Sequence, residues 1–179
     1  MARYRLGFAV ALIVFALDQV AKWIVTGPLQ LREVGQIYLL PIFNLTYTEN
    51  NGISLGLLNA TTELGRWMLV ALTSAIAIGV AVWIGRETNR LDRISLGMVL
   101  GGALGNILDR VRHGYVVDFA DLHFRGVPQQ LCPSFDNGLC RPFLVFNVGD
   151  AAISIAVVAL LLRAFLTRKE RSEETIEHA

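Results

Sequence analysis

Four long apolar segments dominate this chain of 179 residues and restrict what it can fold into. They cover about residues 6–25, 64–84, 94–111 and 143–165. A helix needs roughly 20 apolar residues, at about 1.5 Å each, to cross a bilayer. With 54% hydrophobic side chains, 17% charged side chains and a mean hydropathy of +0.50, the chain is too apolar for an ordinary soluble domain. We therefore predict a polytopic α-helical membrane protein that forms one membrane domain over residues 1–179.

The basic residues predict how the four helices are oriented. Nine of the 16 Lys and Arg residues flank the apolar segments on one side, and such an excess marks the cytoplasmic side of a membrane protein. We therefore expect both termini in the cytoplasm, with a charged tail at 168–179, and the polar segments 26–63 and 112–142 outside. The nine residues are Arg3, Arg5, Arg86, Arg90, Arg93, Arg163, Arg168, Lys169 and Arg171.

Two stretches of the outer segments predict β-strands. Apolar and polar residues alternate over 43–48, and a second β-rich stretch covers 114–124. Because both stretches belong to the same side of the membrane, we expect a small sheet that rests on the outer surface of the helices.

Polar groups from three of the predicted helices converge at one depth. A charged side chain in the hydrocarbon costs roughly 2.5–3.5 kcal/mol, so such groups are expected to face a partner or a water-filled cavity. The first and third helices run outward and the fourth runs inward, which places the polar residues of all three in the outer part of the bilayer. These residues are Asp18, Lys22, Asn106, Asp109, Arg110, Asn147 and Asp150, with Asp118 just beyond the third helix.

Two features of these helices also have purely structural explanations. Asp18 with Lys22, and Asn106 with Arg110, are four residues apart on one helix face, and pairing within each helix could be enough to tolerate them there. In the third helix, glycines at every fourth position predict close helix packing, because small residues let helix backbones approach in lipid. They are Gly97, Gly101 and Gly105.

Asp118 and Asp150 predict acid–base chemistry. Two carboxylates that share one proton cannot both ionise, so one acts as a base and the other as an acid. The sequence has no spacing that indicates a metal or cofactor site and no basic run that indicates nucleic-acid binding. Two alternatives remain: a proton-coupled membrane carrier, which would place polar residues at several depths, and a scaffold without enzymatic activity.

Five motifs, in order along the chain, resemble those of the signal peptidase II family, the lipoprotein signal peptidases. The resemblance implies an aspartyl endopeptidase of the bacterial inner membrane, with its active site near the periplasmic face. Such an enzyme removes the signal peptide of a diacylglyceryl-modified prolipoprotein just before the lipidated cysteine. The motifs lie at 18–22, 50–52, 101–110, 117–119 and 146–150.

The resemblance assigns roles by position. Asp118 and Asp150 match the family's catalytic pair, and Asp18 and Lys22 match its motif on the first helix. It implies four transmembrane helices, a small extracytoplasmic β-cradle, a short periplasmic helix near 53–62, and no cofactor or metal. We also expect contact with membrane lipid and a monomeric protein. The supporting or substrate-binding positions are Asn50, Gly52, Asn106, Asp109, Arg110 and Asn147.

The segment between Asp118 and Asp150 is longer than is usual in this family and contains both cysteines of the chain, Cys132 and Cys140. In an oxidising periplasm they could form a disulfide across a short loop. Two unpaired thiols remain the alternative.

Overall fold

A computed structural model describes residues 4–52, 62–136 and 139–177 of the chain. Four of its helices are long and apolar enough to cross a membrane, which confirms the predicted fold class. In chain order the elements are α1 (Arg5–Thr26), α2 (Leu31–Val34), β1 (Gln36–Leu40), β2 (Phe43–Asn50), α3 (Glu63–Arg86), α4 (Arg90–Arg112), β3 (Val116–Leu122), β4 (Phe124–Arg125), β5 (Ser134–Asp136), β6 (Leu139–Arg141) and α5 (Val148–Glu177).

Helix α4 lies at the centre of the bundle and packs against α1, α3 and α5. Its glycines make this possible. A Cβ atom on Gly97 or Gly101 would meet a backbone carbonyl oxygen of α1, and a Cβ on Gly102 would meet the carbonyl oxygen of Gly149 on α5. The backbones of three helices therefore approach closely, as the spacing of the small residues predicts.

The bundle has two distinct ends. At one of them, which we call the terminal end, α1 and α4 begin and α3 ends: a Cβ on Gly7 would meet the side chain of Ile84 and the carbonyl oxygen of Arg93. An ion pair between Asp92 and Arg163 brings the later part of α5 to the same place. At the opposite end, the sheet end, the polar residues of α1, α4 and α5 lie beneath the sheet.

The sheet has the antiparallel order β1-β2-β3, and the two predicted strand regions form β2 and β3. Strand β1 was not predicted. Apolar side chains attach the sheet to the end of α1, with Val25, Leu31, Phe119 and Ala120 buried together. Within β3, Ala120 exchanges two backbone hydrogen bonds with Phe146, at 2.7 and 3.1 Å. This bridge holds β3 beside the beginning of α5.

Helix α5 differs from the prediction at both ends. The apolar pattern predicts a helix over 143–165, but α5 begins at Val148 because Phe146 pairs with β3 and is unavailable to a helix. At the other end α5 continues to Glu177, through the expected charged tail. No proline follows Asp150, and Arg, Lys and Glu are strong helix formers. Helices α3 and α4 also extend a few residues beyond the predicted 64–84 and 94–111.

The insertion between β3 and α5 forms its own small antiparallel sheet with the order β4-β6-β5. The Cys132 and Cys140 sulfur atoms are bonded to each other in the structure. At the end of β6, Nε of Arg141 donates to both carboxylate oxygens of buried Asp121, at 3.0 and 3.3 Å. This contact fastens the insertion to β3. Of the short helix expected at 53–62, residues 53–61 lie outside the described residues.

We predict that the Cys132→Ser/Cys140→Ser double variant still inserts into the membrane but is nicked faster by protease between Arg125 and Arg141. A disulfide that closes a loop of this size stabilises it by about 2–3 kcal/mol. Limited proteolysis measures the rate, and nicking elsewhere in the chain is the control. Equal rates in both proteins, or two free thiols in protein isolated under thiol-blocking conditions, would contradict the disulfide.

Candidate active site

A buried lysine joins α1 to α4 at the sheet end of the bundle. Nζ of Lys22 lies 2.7 Å from Oδ2 of Asp18 and 2.8 Å from Oδ2 of Asp109. It also donates to Oδ1 of Asn106 at 3.2 Å. Lys22 is 5% exposed and both of its carboxylate partners are buried. The pair within α1 has the expected i, i+4 spacing, and the structure adds a second carboxylate from α4.

Lys22 also determines which way the Asn106 amide points. An ammonium group can only donate hydrogen bonds, so the oxygen of the amide must face it. The same oxygen accepts from Nδ2 of Asn147 at 3.1 Å. The Nδ2 group of Asn106 is therefore directed to the other side, where it donates to Oδ1 of Asp150 at 2.8 Å.

Asn147 contacts both of the candidate catalytic carboxylates. Its Oδ1 accepts from the backbone N–H of Asp150 at 2.9 Å, and its own N–H donates to Oδ2 of Asp150 at 3.3 Å. This reciprocal pair is a capping box that begins α5. With its oxygen used in the cap, the amide nitrogen of Asn147 donates to Oδ1 of Asp118 at 2.7 Å.

A second amide holds Asp118 from the side of β2. Nδ2 of Asn50 donates to Oδ2 of Asp118 at 2.9 Å, and Oδ1 of Asn50 accepts from the backbone N–H of Gly52 at 2.9 Å. Gly52 has a φ of +95°, a conformation that glycine adopts without strain. Both oxygens of Asp118 are thus hydrogen-bonded to side-chain amides.

The two carboxylates differ in their surroundings. Asp118 is 1% exposed, whereas Asp150 is half-buried and borders an open cavity. The pKa of Asp118 is raised to about 6: burial is the largest cause, the hydrogen bond from the Asn50 amide opposes it, and the negative charge of Asp150 adds to it. Asp118 therefore keeps its proton to a higher pH than an ordinary aspartate does.

The remaining predicted residues take supporting positions. Oδ2 of Asp109 accepts from the backbone N–H of Val117 at 3.1 Å and so holds the start of β3. Arg110 does not form a side-chain pair with Asn106: its guanidinium reaches only the Asn106 carbonyl oxygen, at 3.5 Å, because the Asn106 amide is already bound to Lys22 and Asp150. The guanidinium interacts electrostatically with both Asp118 and Asp150.

Sequence reasoning missed the role of Gln19. Its Nε2 lies 3.3 Å from Oδ2 of Asp18 and 3.3 Å from Oδ1 of Asp109, so it donates to both carboxylates that bind Lys22. Its position three residues before Lys22, on the same side of α1, was the available signal. Within the described ranges, no three His, Cys, Asp or Glu side chains are grouped in a way that could hold a metal ion.

A family model described as signal peptidase (SPase) II matches residues 10–166. The chain belongs to the signal peptidase II family. A lipoprotein signal peptidase from Sphingopyxis alaskensis is 52% identical over 90% of this chain and 86% of the relative. Another, from Rhizorhabdus wittichii, is 49% identical over 93% of this chain and 89% of the relative.

The fold has a counterpart among solved structures. A bacterial membrane enzyme determined by the in meso method has a TM-score of 0.70 and 25% identity to this peptidase, and the match covers 92% of this chain and 90% of that one. Family membership confirms that the chain is a protease that acts on prolipoproteins in the bacterial inner membrane. The proton-coupled carrier is not supported.

We predict that Lys22→Met strongly destabilises the peptidase. The variant leaves Asp18 and Asp109 buried without a counter-charge, which costs about 3–5 kcal/mol and lowers the Tm by about 10 °C. Arg32→Ala is the matched control, because it breaks an exposed ion pair. The side chains of Arg32 and its partner Glu49 are 61% and 37% exposed. Thermal unfolding in detergent compares the two, and equal shifts in Tm would contradict the structural importance of Lys22.

We predict that Asp118→Asn gains stability relative to the parent protein as the pH rises. The folded pKa of about 6 lies above the ordinary value of 3.8, so the stabilising contribution of the protonated carboxyl is complete below the lower value. The parent protein loses this contribution as the pH rises through about 6. The variant does not, because an asparagine does not ionise. The difference in Tm between the proteins, measured at about pH 4 and about pH 8, tests this.

The control for surface titration is Glu63→Gln, whose side chain is 87% exposed in the parent protein. A constant pH-independent penalty is expected for Asp118→Asn, because its NH2 group must face an amide donor. The prediction therefore concerns only how the difference in Tm between Asp118→Asn and the parent protein changes with pH. A difference in Tm that stays the same across this range would contradict the raised pKa.

Proposed function

We propose that Asp118 and Asp150 are the catalytic pair of this peptidase. The proposal rests on two hydrogen bonds of Asn147, which donates through its side chain to Asp118 and through its backbone to Asp150. One residue thus holds two carboxylates from different elements in a fixed relation. A purely structural role would not require two carboxylates to share a neutral donor.

The environments of the two carboxylates support different roles. Asp118 is the more deeply buried and has the raised pKa, so it is the member that carries the shared proton. Asp150 borders the open cavity and is the member that is more accessible to water. Asp150 therefore acts as the base and Asp118 as the acid.

Hydrolysis then follows from proton transfers within the pair. Asp150 takes a proton from a water molecule as the water oxygen attacks the scissile carbonyl carbon. Asp118 gives its proton to the carbonyl oxygen, which produces a neutral tetrahedral intermediate. As the carbon–nitrogen bond breaks, the proton on Asp150 passes to the leaving amine nitrogen, and Asp118 recovers its proton as the carboxylic acid forms.

The neutral amides around the pair supply orientation. Asn106 holds Asp150, and Asn50 holds Asp118, each through Nδ2. Because both donors point at carboxylate oxygens, they keep the two groups in place before the substrate arrives, and preorganisation of this kind lowers the barrier of the chemical step. We assign Asp18, Lys22, Asp109 and Arg110 to the support of this arrangement.

We further propose that the sheet end faces the periplasm and that both termini are cytoplasmic. The terminal end of the bundle carries Arg5, Arg86, Arg90, Arg93 and Arg163, in agreement with the excess of basic residues on the cytoplasmic side. The Cys132–Cys140 bond then lies in an oxidising compartment. The substrate is a prolipoprotein whose cysteine carries a diacylglyceryl group, cleaved just before that cysteine, and the enzyme is a monomer.

We predict that Asp118→Asn and Asp150→Asn each reduce kcat by roughly a thousandfold or more, because an amide can neither act as the base nor share the proton. The assay is cleavage of a purified diacylglyceryl prolipoprotein in detergent, with membrane insertion checked for each variant. Asp92→Asn, which removes a carboxylate at the terminal end of the bundle, is the control and should keep normal turnover. Near-normal turnover by either catalytic variant would refute the assignment.

A further inference from the structure

An apolar groove has Asp150 in its lining. It lies between the segment that precedes α5 and the first two turns of that helix, and its volume is about 250 Å³. Asp150 is the titratable residue of its lining, and the rest is apolar except for Ser154. Its lining includes Phe143, Leu144, Phe146, Ser154 and Ile155.

We propose that this groove, which we call the α5 groove, holds one acyl chain of the diacylglyceryl group on the substrate cysteine. The inference rests on the proposed function, since it takes Asp150 as catalytic and the lipidated prolipoprotein as substrate. It adds the position of the lipid and the side chains that select it.

Continuity with the catalytic pair is the first argument. The cysteine that carries the lipid follows the scissile bond directly, so its sulfur lies within a few bonds of the carbon that is attacked. The acyl chains must therefore leave the catalytic pair through a nearby apolar opening. The α5 groove includes Asp150 in a lining that is otherwise apolar except for Ser154, so it offers such an opening next to the proposed base.

The exposure of the groove wall is the second argument. Phe143 is 61% exposed and Leu144 is 84% exposed, and both lie in the segment that precedes α5, outside any helix. Exposed large apolar side chains that lie together mark a ligand-binding groove or a surface in contact with lipid, and an acyl chain suits both. An acyl chain along this wall would remove its surface from water or from lipid headgroups, which favours binding.

The size of the groove distinguishes between possible occupants. Pockets that enclose a whole small molecule measure roughly 300–1,000 Å³, and this groove is smaller. A helical signal peptide cannot enter it, but a segment of a single acyl chain can. The groove is open along the lipid-facing side of α5, where Ile155 is 61% exposed, so the remainder of the chain can continue into the bilayer.

The insertion supports the wall of the groove. Phe143 and Leu144 follow β6 directly, and β6 is held at Cys140 by the disulfide and at Arg141 by the carboxylate of Asp121. Phe146, on the other side of these two residues, is fixed by its backbone bonds to Ala120. Both ends of the exposed wall are thus anchored.

The test uses two kinds of variant and two substrates. The Phe143→Ser/Leu144→Ser double variant removes the apolar wall, and Ser154→Phe fills the groove. Leu131→Ser is the matched control, because Leu131 is 75% exposed on the same insertion and does not line the groove. The substrates are prolipoproteins whose cysteine carries either two palmitoyl chains or two butyryl chains, cleaved by the full-length protein in detergent.

We expect the double variant and Ser154→Phe each to raise KM for the dipalmitoyl substrate by about tenfold, the equivalent of burying about two methylene groups. Their kcat should stay within about twofold of the parent protein, and KM for the dibutyryl substrate should change by less than about twofold, because a short chain has few methylene groups to bury in the groove. Leu131→Ser should leave both substrates unaffected.

Equal KM values for the parent protein and Ser154→Phe with the dipalmitoyl substrate would overturn the inference. So would a rise in KM of the same size for both substrates, since that would indicate contact with the peptide. The proposed function has its own readout in the same assay: it fails if the parent protein leaves both substrates uncleaved or if Asp118→Asn cleaves them normally. The two failures are therefore distinguishable.

Discussion

The ion cluster around Lys22 determines the geometry of the rest of the site. A lysine 5% exposed inside a membrane helix bundle requires compensating charge, and Asp18 and Asp109 supply it from α1 and α4. Oδ1 of Asp18, the oxygen that does not contact Lys22, accepts from the backbone N–H of Gly149 at 2.9 Å, which ties the start of α5 to the same cluster. Three helices are thus joined at one point, and the catalytic candidates are the residues that this junction brings together.

The glycines of α4 and this polar centre form a single arrangement. Gly105 leaves the space that the carboxylate of Asp18 occupies, since a Cβ there would collide with it. Gly101 and Gly102, on adjoining faces, let α4 approach α1 and α5 closely. Small residues therefore do more than favour helix association in lipid. They set the separation between helices at which Lys22 can reach α4 and the cap of α5 can reach Asn106.

The sequence predicted the four helices, the regions of β2 and β3, and the common depth of the polar residues, because each depends on hydropathy, alternation or helix direction. It could not give the direction of the Asn106 and Asn147 amides, which depends on the donors and acceptors that surround each one after folding. Nor could it place the start of α5. Phe143 and Phe146 continue the apolar pattern of that helix, and only the pairing of Phe146 with β3 shows that they lie outside it.

Neutral amides between Lys22 and the proposed catalytic pair also explain how a cation can lie so near without disabling the proposed chemistry. A lysine bonded directly to Asp150 or Asp118 would favour the fully ionised pair, and no proton would remain to share. Here Asp18 and Asp109 compensate the charge of Lys22. Lys22 orients the Asn106 amide, and this neutral amide contacts Asp150 without bringing a positive charge to it. Lys22 lowers the pKa of Asp118 only as the smallest of the contributing effects. The arrangement therefore separates the group that fixes the geometry from the two carboxylates proposed to exchange the proton.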